Sequence, residues 1–253
     1  FCMDNEVDED TRRMQVAVDT LYAAYAETDH AARMELLEAA VADDVLHWTR
    51  TGMTTGRDAL SSSIDDFLER HKGRPQKLDG DLQTFRNVAR APWSAIARGW
   101  FNSYKGEAYF ELANDGRLQQ IVNFSDPPHD RIVSGGSQAY IDAWNSDTVE
   151  ERLATLGEYW TPDARWVELR FDHSGVDAIA NHMKPVIYLE PLDGVMDVME
   201  YDDGSLQIRL QVVVTRRDGE LIGTFTDFVA VNSDGQVTRL AGFKGASLTL
   251  PPE

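Results

Sequence analysis

Cysteine is all but missing: Cys2 stands alone in 253 residues, which excludes an internal disulfide and any metal site built on thiolates. Basic residues are scarce as well. With 24 Lys and Arg against 43 Asp and Glu, the net charge is −19. Nucleic acid and anionic membrane both demand a positive surface and are excluded as partners. No apolar run reaches the roughly 18 residues of a membrane span, and no signal-peptide pattern occurs, so the expected location is the cytoplasm. Phe1 in place of methionine leaves two origins open, a removed leader or a native start at Met3. The chain also lacks a Gly-rich phosphate loop, a nucleophile elbow and an HExxH helix. His173 and His182 have no acidic neighbours at ligand spacing, and neither a metal nor a cofactor is expected.

What is present is an ordinary globular composition, 42% hydrophobic and 26% charged, long enough for one or two domains. From Thr11 to about Glu27, Met14, Val18, Leu21, Tyr22 and Tyr25 keep helical spacing. Asp29 is placed to cap a second helix, Ala31–Ala42, with Met34, Leu37 and Val41 inward. A short strand near Val45–Arg50, a turn through Gly52–Gly56 and a helix from Arg57 to His71 follow. Asp79–Arg90, Ser94–Tyr104, Glu107–Ala113 and Arg117–Phe124 read as four strands, the last two joined by Asn114-Asp-Gly116.

After a linker through Ser125-Asp-Pro-Pro-His-Asp130 and Ser134-Gly-Gly136 the pattern restarts. A shift of 119 pairs Ala24 with Ala143, Arg33 with Arg152, Leu37 with Leu156, Asp44 with Asp163 and Gly56 with Gly175. The same shift pairs Asp115 with Asp234, Gly116 with Gly235 and Phe124 with Phe243. One register at both ends of equal blocks is a tandem duplication. The predicted domains are 11–126 and 134–248, each α+β, with N-terminal helices on a curved antiparallel sheet that leaves a cone-shaped cavity. Strand Thr224–Val231 is apolar on both faces, with Phe225, Val229 and Val231 on one and Phe228 and Ala230 on the other. Its outer face is therefore expected to be covered, by the other copy or by another subunit in a homo-oligomer.

The frame Ala42-Asp-Asp44 with Gly56-Arg-Asp-Ala-Leu60, repeated as Thr161-Pro-Asp163 with Gly175-Val-Asp-Ala-Ile179, resembles the NTF2-like superfamily. Together with the Asp-Gly turns at Asp115 and Asp234, it is most similar to the SnoaL-like and ketosteroid-isomerase-like branch. The resemblance covers nearly the whole chain, twice. It implies the fold and leaves the reaction open, since this fold hosts isomerases, cyclases, hydrolases, dehydratases, lyases and binding modules. Isomerases of this branch pair a carboxylate base with a Tyr and a protonated Asp that hold an oxyanion. The resemblance carries the base to Glu168 in the second copy and Thr49 in the first, and the oxyanion Asp to Asp227 and Ala108. The oxyanion Tyr falls on Tyr25 in the first copy and on Trp144 in the second. Neither copy keeps all three, and the second is the better candidate for acid–base work.

Strand alternation puts Ala164, Trp166, Glu168 and Arg170 on one face of the second copy's short strand. Two carboxyls in one apolar cavity cannot both ionise easily, so Glu168 and Asp227 are expected to split into a base and an acid. Arg170 would keep Glu168 the more ionised member, leaving Asp227 as the protonated donor. The alternative is that Glu168 and Arg170 form a solvated surface ion pair. In the first copy Val45, His47 and Thr49 face the cavity, and His47 could act as a base with Tyr25 as donor, or be an ordinary core histidine. The aromatics Trp48, Trp93, Trp100, Phe101, Tyr104, Tyr109, Trp144, Trp160, Trp166 and Tyr188 suit a flat, apolar, aromatic ligand. Trp166, Arg170, Trp144, Phe225, Thr49 and Tyr104 are the expected substrate contacts. The function expected is acid–base catalysis without a cofactor on a small hydrophobic molecule, of lyase, dehydratase, isomerase or cyclase type. Its rival is a non-catalytic binding or interaction module with two degenerate cavities.

Overall fold

The structure, a computed structural model, describes residues 9–71, 73–96, 103–125, 135–183 and 187–245. The chain divides into two compact units, Phe1–Pro127 and Pro128–Glu253. Unit 1 opens with α1 (Glu9–Ala26) and α2 (His30–Ala40). The five helix-spaced apolar residues Met14, Val18, Leu21, Tyr22 and Tyr25 are all buried, as one face of a helix seated on a sheet must be. Asp29 caps α2 by accepting a hydrogen bond from the Ala32 N–H at 2.9 Å. This helix ends at Ala40, two residues before the end predicted from sequence. Val41 is already extended, its N–H closing the last turn on the Leu37 carbonyl, and the chain runs directly into β1 (Val41–Thr49).

β2 (Gly52–Thr55) returns along β1, and α3 (Arg57–Arg70) follows Gly56, whose φ of 86° is one that side chains resist. The short β3 (Lys77–Leu78) and β4 (Gln83–Phe85) precede β5 (Val88–Ile96), β6 (Ser103–Leu112) and β7 (Leu118–Ser125). Here the predicted strands Asp79–Arg90 and Ser94–Tyr104 need correction. A turn at Arg86, which takes a left-handed φ of 52°, splits the first, and β5 runs unbroken through Ala91–Trp93 where a gap was expected. The sheet order is β2-β1-β7-β6-β5-β3, with β4 pairing β5; β1 and β7 run parallel and the other pairs antiparallel. Leu21, Leu37, Leu60 and Phe110 are wholly buried between helices and sheet. Each contributes about 1.5–3 kcal/mol of hydrophobic stabilisation.

Unit 2 repeats the plan with α4 (Gly135–Asn145), α5 (Val149–Tyr159), β8 (Trp160–Glu168), β9 (Phe171–Ser174), α6 (Val176–His182) and β10 to β13 (Ile187–Glu200, Leu206–Arg216, Leu221–Val231 and Val237–Lys244). A capping box of Thr148 and Glu151 starts α5. Its sheet order is β10-β11-β12-β13-β8-β9. The shift of 119 is visible in the bonds themselves. Gly56 N–H donates to the Val45 carbonyl at 2.8 Å, and Gly175 N–H to the Ala164 carbonyl at the same distance. Arg33 and Arg152, both buried, each donate to the carbonyl six residues upstream, Glu27 and Ser146. Each unit is thus an α+β domain, helices on a mixed but largely antiparallel sheet. No helix of the described residues is long and apolar enough to cross a membrane.

Candidate functional site

In domain 2 three residues lie abreast on neighbouring strands: Glu168 at the end of β8, Gly242 on β13 and Asp227 on β12. Laterally paired residues point to the same face of a sheet, so both carboxylates and the bare Cα between them face one way. A Cβ added to Gly242 would lie 2.9 Å from Glu168 Oε1 and 3.0 Å from Asp227 Oδ1. The two oxygens can be no farther apart than those distances together. Glycine is what leaves room for the pair to converge. Asp227 is 1% exposed. Glu168 is half-buried as a residue, but burial of its carboxyl is the main cause that pushes its pKa up to about 8, and the charge of Asp227 adds to it. The Trp166 indole N–H acts the other way.

A third group joins them that the sequence did not single out. Tyr140, on α4, is buried and hydrogen-bonded to Asp227. Burial first, and then the charges of Asp227 and Glu168, hold its pKa well above the ordinary phenol value, so it stays a donor. Its signal was the i to i+4 spacing with Trp144, which puts both on one helix face. The duplication hid it, because the counterpart of Tyr140 in the first copy is Leu21. Around this polar centre the rings are dense. Trp166 meets Trp144 edge-on at 5.5 Å, Tyr140 at 5.9 Å and Phe171 at 4.5 Å. The indole N–H groups of Trp144 and Trp166 are buried without an aligned acceptor, although they come close enough to Tyr140 and Glu168 to act on them electrostatically. A buried donor without a well-aligned acceptor costs about 1–3 kcal/mol. Phe225 packs against the same cluster, two residues from Asp227 on its face.

Arg170 does not belong to this group. Strand β8 stops at Glu168; Leu169 and Arg170 form the turn to β9, and both are exposed. Alternation therefore does not carry Arg170 to the face of Glu168, and among the described residues no ion pair joins the two. Arg165, within β8, is paired with Asp172 through Nε at 2.9 Å and Nη2 at 2.8 Å. The expectation that Arg170 keeps Glu168 ionised is thereby overturned.

In domain 1 the corresponding three residues are Thr49, Asn123 and Ala108, again laterally paired across β1, β7 and β6. No carboxylate is among them. Thr49 hydrogen-bonds within its own turn, to the Gly52 carbonyl at 3.1 Å and to the Thr51 hydroxyl at 3.0 Å. Gln76 Nε2 donates to Asn123 Oδ1 at 3.4 Å, and Asn123 Nδ2 donates to His47 Nε2 at 3.0 Å. This direction leaves the proton of His47 on Nδ1, which has no partner. Burial depresses the His47 pKa to about 4, and raises that of Tyr25 above the phenol range. The imidazole is neutral and its basic nitrogen is occupied, which suits a hydrogen-bond donor and not a proton acceptor at neutral pH. Tyr25 lies beside Asn123 without an aligned bond, and its ring meets Tyr22 at 5.3 Å.

These residues wall a cavity of about 200 Å3, together with Thr49, Ile64, Phe67, Arg70, His71, Trp93 and Tyr104 among others. Tyr104 is half exposed at its rim and meets His71 edge-on at 4.8 Å. Trp93 and Trp160 are core residues whose indole N–H groups donate to the carbonyls of Phe124 and Gly136. Trp48 and Tyr109 are buried but do not line the cavity. Trp100 and Phe101, and the side chain of Tyr188, lie outside the described residues.

No family model and no curated protein sequence matches the chain. Solved structures do. A candidate isomerase of the SnoaL-like family from Agrobacterium tumefaciens is 22% identical, with 44% of this chain on 94% of that one and a TM-score of 0.38. An NTF2-like protein of unknown function from Exiguobacterium is 15% identical, with 44% on 98% and a TM-score of 0.37. A candidate polyketide cyclase from Bacillus cereus is 16% identical, with 46% on 76% and a TM-score of 0.38. Each matches a little under half of this chain, the share of one domain. The two units are α+β domains of one plan in tandem. At such identities and scores the likeness says nothing about the reaction.

Proposed function

We propose that domain 2 is an acid–base catalyst acting on a small hydrophobic, aromatic molecule, with Glu168 as the group that exchanges the proton. The observation that carries this reading is the convergence of Glu168 and Asp227 over Gly242. Such a pair separates into one carboxyl that holds a proton and one that holds the charge. With its pKa pushed up to about 8, Glu168 is mostly protonated at neutral pH, and its ionised minority, which grows towards pH 8, is the form that takes a proton from the substrate and hands it back. Asp227, accepting from Tyr140, is its partner and adds to the rise in the Glu168 pKa. Glu168 is then not the carboxyl held ionised by Arg170 that the sequence suggested.

The remaining parts follow from chemistry. Removing a proton next to a carbonyl builds negative charge on its oxygen, and unmet donors are what stabilise it. The indole N–H groups of Trp144 and Trp166 supply them in this reading, and the surrounding rings of Phe171 and Phe225 favour a flat apolar substrate. Isomerase, cyclase, dehydratase and lyase reactions that begin beside a carbonyl share this first step. It can be assayed without knowing the product. The protein is incubated in D2O with a panel of small aryl ketones, and deuterium entering the carbon next to the carbonyl is followed by mass spectrometry. Wild-type protein should catalyse exchange for at least one ketone, and Glu168→Gln should lower that rate by about 10²–10⁴. Exchange that is equal in the two proteins, or absent with every ketone, would favour the non-catalytic binding module instead.

A further inference from the structure

The lining of the domain 1 cavity is unusual for so acidic a chain. Among the described residues that line it there is no Asp or Glu, in a protein with 43 of them, and there are two arginines, Arg50 and Arg70. Both arginines are exposed, so they stand at the mouth, whereas Tyr25, His47, Gln76 and Asn123 are buried at the inner end. Arg70 is steadied by its Nε–H, which donates to the Asp66 carbonyl at 3.1 Å, and it forms no ion pair among the described residues. It is close enough to His71 to help keep that imidazole uncharged, although burial is the larger cause. His71 in turn stacks on Phe67 at 4.1 Å, so the wall near the mouth is a run of rings.

The two ends ask for different groups. At the inner end the Tyr25 hydroxyl and His47 Nδ1–H are buried protons with no aligned acceptor in the protein. A neutral oxygen would satisfy them. A carboxylate there would lose its water and find only uncharged donors in exchange, which disfavours it. At the mouth it would keep water and meet the Arg70 guanidinium, which is in no ion pair among the described residues, with Arg50 also on the lining.

We infer that domain 1 binds a small aromatic carboxylate, with the acid group at Arg50 and Arg70 and a hydroxyl or keto oxygen at Tyr25 and His47. The cavity, of about 200 Å3, is below the size that holds drug-sized ligands and suits a single ring. This site is separate from the Glu168 centre and stands whether or not domain 2 is a catalyst.

Calorimetric titration of the full chain with 4-hydroxybenzoate, and with the uncharged 4-hydroxybenzamide, tests it. The acid should bind about three- to tenfold more tightly than the amide, the range two exposed ion pairs supply, and the advantage should shrink as salt is added. The double variant Arg50→Gln/Arg70→Gln changes only exposed side chains, so the fold should persist. It should erase the preference for the acid while leaving amide binding unchanged. Glu168→Gln, in the other domain, should leave both affinities unchanged. Equal affinities for acid and amide, a preference that survives the double variant, or no binding of either at millimolar concentration would overturn the inference.

Discussion

The same line of three laterally paired residues is Thr49–Asn123–Ala108 in domain 1 and Glu168–Gly242–Asp227 in domain 2. The scaffold is repeated at this line down to the pairing register, yet the chemistry is opposite. Where domain 2 has a bare glycine with a carboxylate on each side, domain 1 has an amide that fills the gap and bonds to Gln76 and His47. A large ring has also changed strands: Trp93 lies over Gly106 in domain 1, where Val212 faces Phe225 in domain 2. The comparison teaches that the central residue changes with its flanks: a glycine leaves room where two acids converge, and an amide fills the gap where there are none. In this account one copy keeps a proton in play, and the other holds neutral donors for a ligand.

The comparison breaks most visibly at Glu168, whose change to Gln should produce the 10²–10⁴-fold loss of exchange described above. Next is Gly242. Gly242→Asn imports the domain 1 residue into domain 2, and its Cβ would meet Glu168 and Asp227 at about 3 Å. Exchange should fall by at least about tenfold, with circular dichroism unchanged, and the Glu168 pKa should drop as the pair is forced apart. Full activity in this variant would mean that convergence is not needed.

Tyr140→Phe removes a hydrogen bond to a charged group, about 1.5–3 kcal/mol, and should cost about ten- to a hundredfold in rate if Asp227 must stay anchored. Its counterpart test in domain 1, Tyr25→Phe, should leave exchange within about twofold. A larger loss there would move the chemistry to the first copy.

Stability should depend on pH in opposite directions at the two centres. The folded-state pKa of Glu168 is raised from 4.5 to about 8. Folding is therefore unpenalised below 4.5, and stability falls as pH rises from there to 8, where the unfolded chain has released a proton that the folded one keeps. The folded-state pKa of His47 is lowered from 6.5 to about 4, so its penalty grows as pH falls through that interval. Thermal melts should show Glu168→Gln gaining on wild type from pH 5 to 8.5, and His47→Gln gaining from pH 6.5 to 4.5. Each effect is at most a few kcal/mol. Parallel pH curves for wild type and either variant would show that the group is not buried as described.

Much of this was legible in the sequence, and the exceptions share a cause. Helix α1, the Asp29 cap, the repeat and the meeting of Glu168 with Asp227 all follow from local spacing or from one register carried through. Arg170 was misplaced because alternation was extended past the last residue of β8, where a turn sets direction instead. Tyr140 was missed because reading by counterpart favours positions that match, and Leu21 offers no hint of a hydroxyl. The Gln76–Asn123–His47 chain joins three segments distant in sequence, and no local pattern records it. The charge contrast at the domain 1 mouth likewise needs Arg50 and Arg70 brought to one cavity by separate elements.

The central claim is that Glu168 and Asp227 titrate as a coupled pair, and it can be measured without a substrate. Side-chain carboxyl carbons are labelled with 13C, and the Glu168 resonance, assigned by its loss in Glu168→Gln, is followed across pH in wild type and in Asp227→Asn. The account requires a midpoint near 8 in wild type and a clearly lower one in Asp227→Asn, because the neighbouring charge is gone. A wild-type midpoint near 4.5, unmoved by Asp227→Asn, would contradict it.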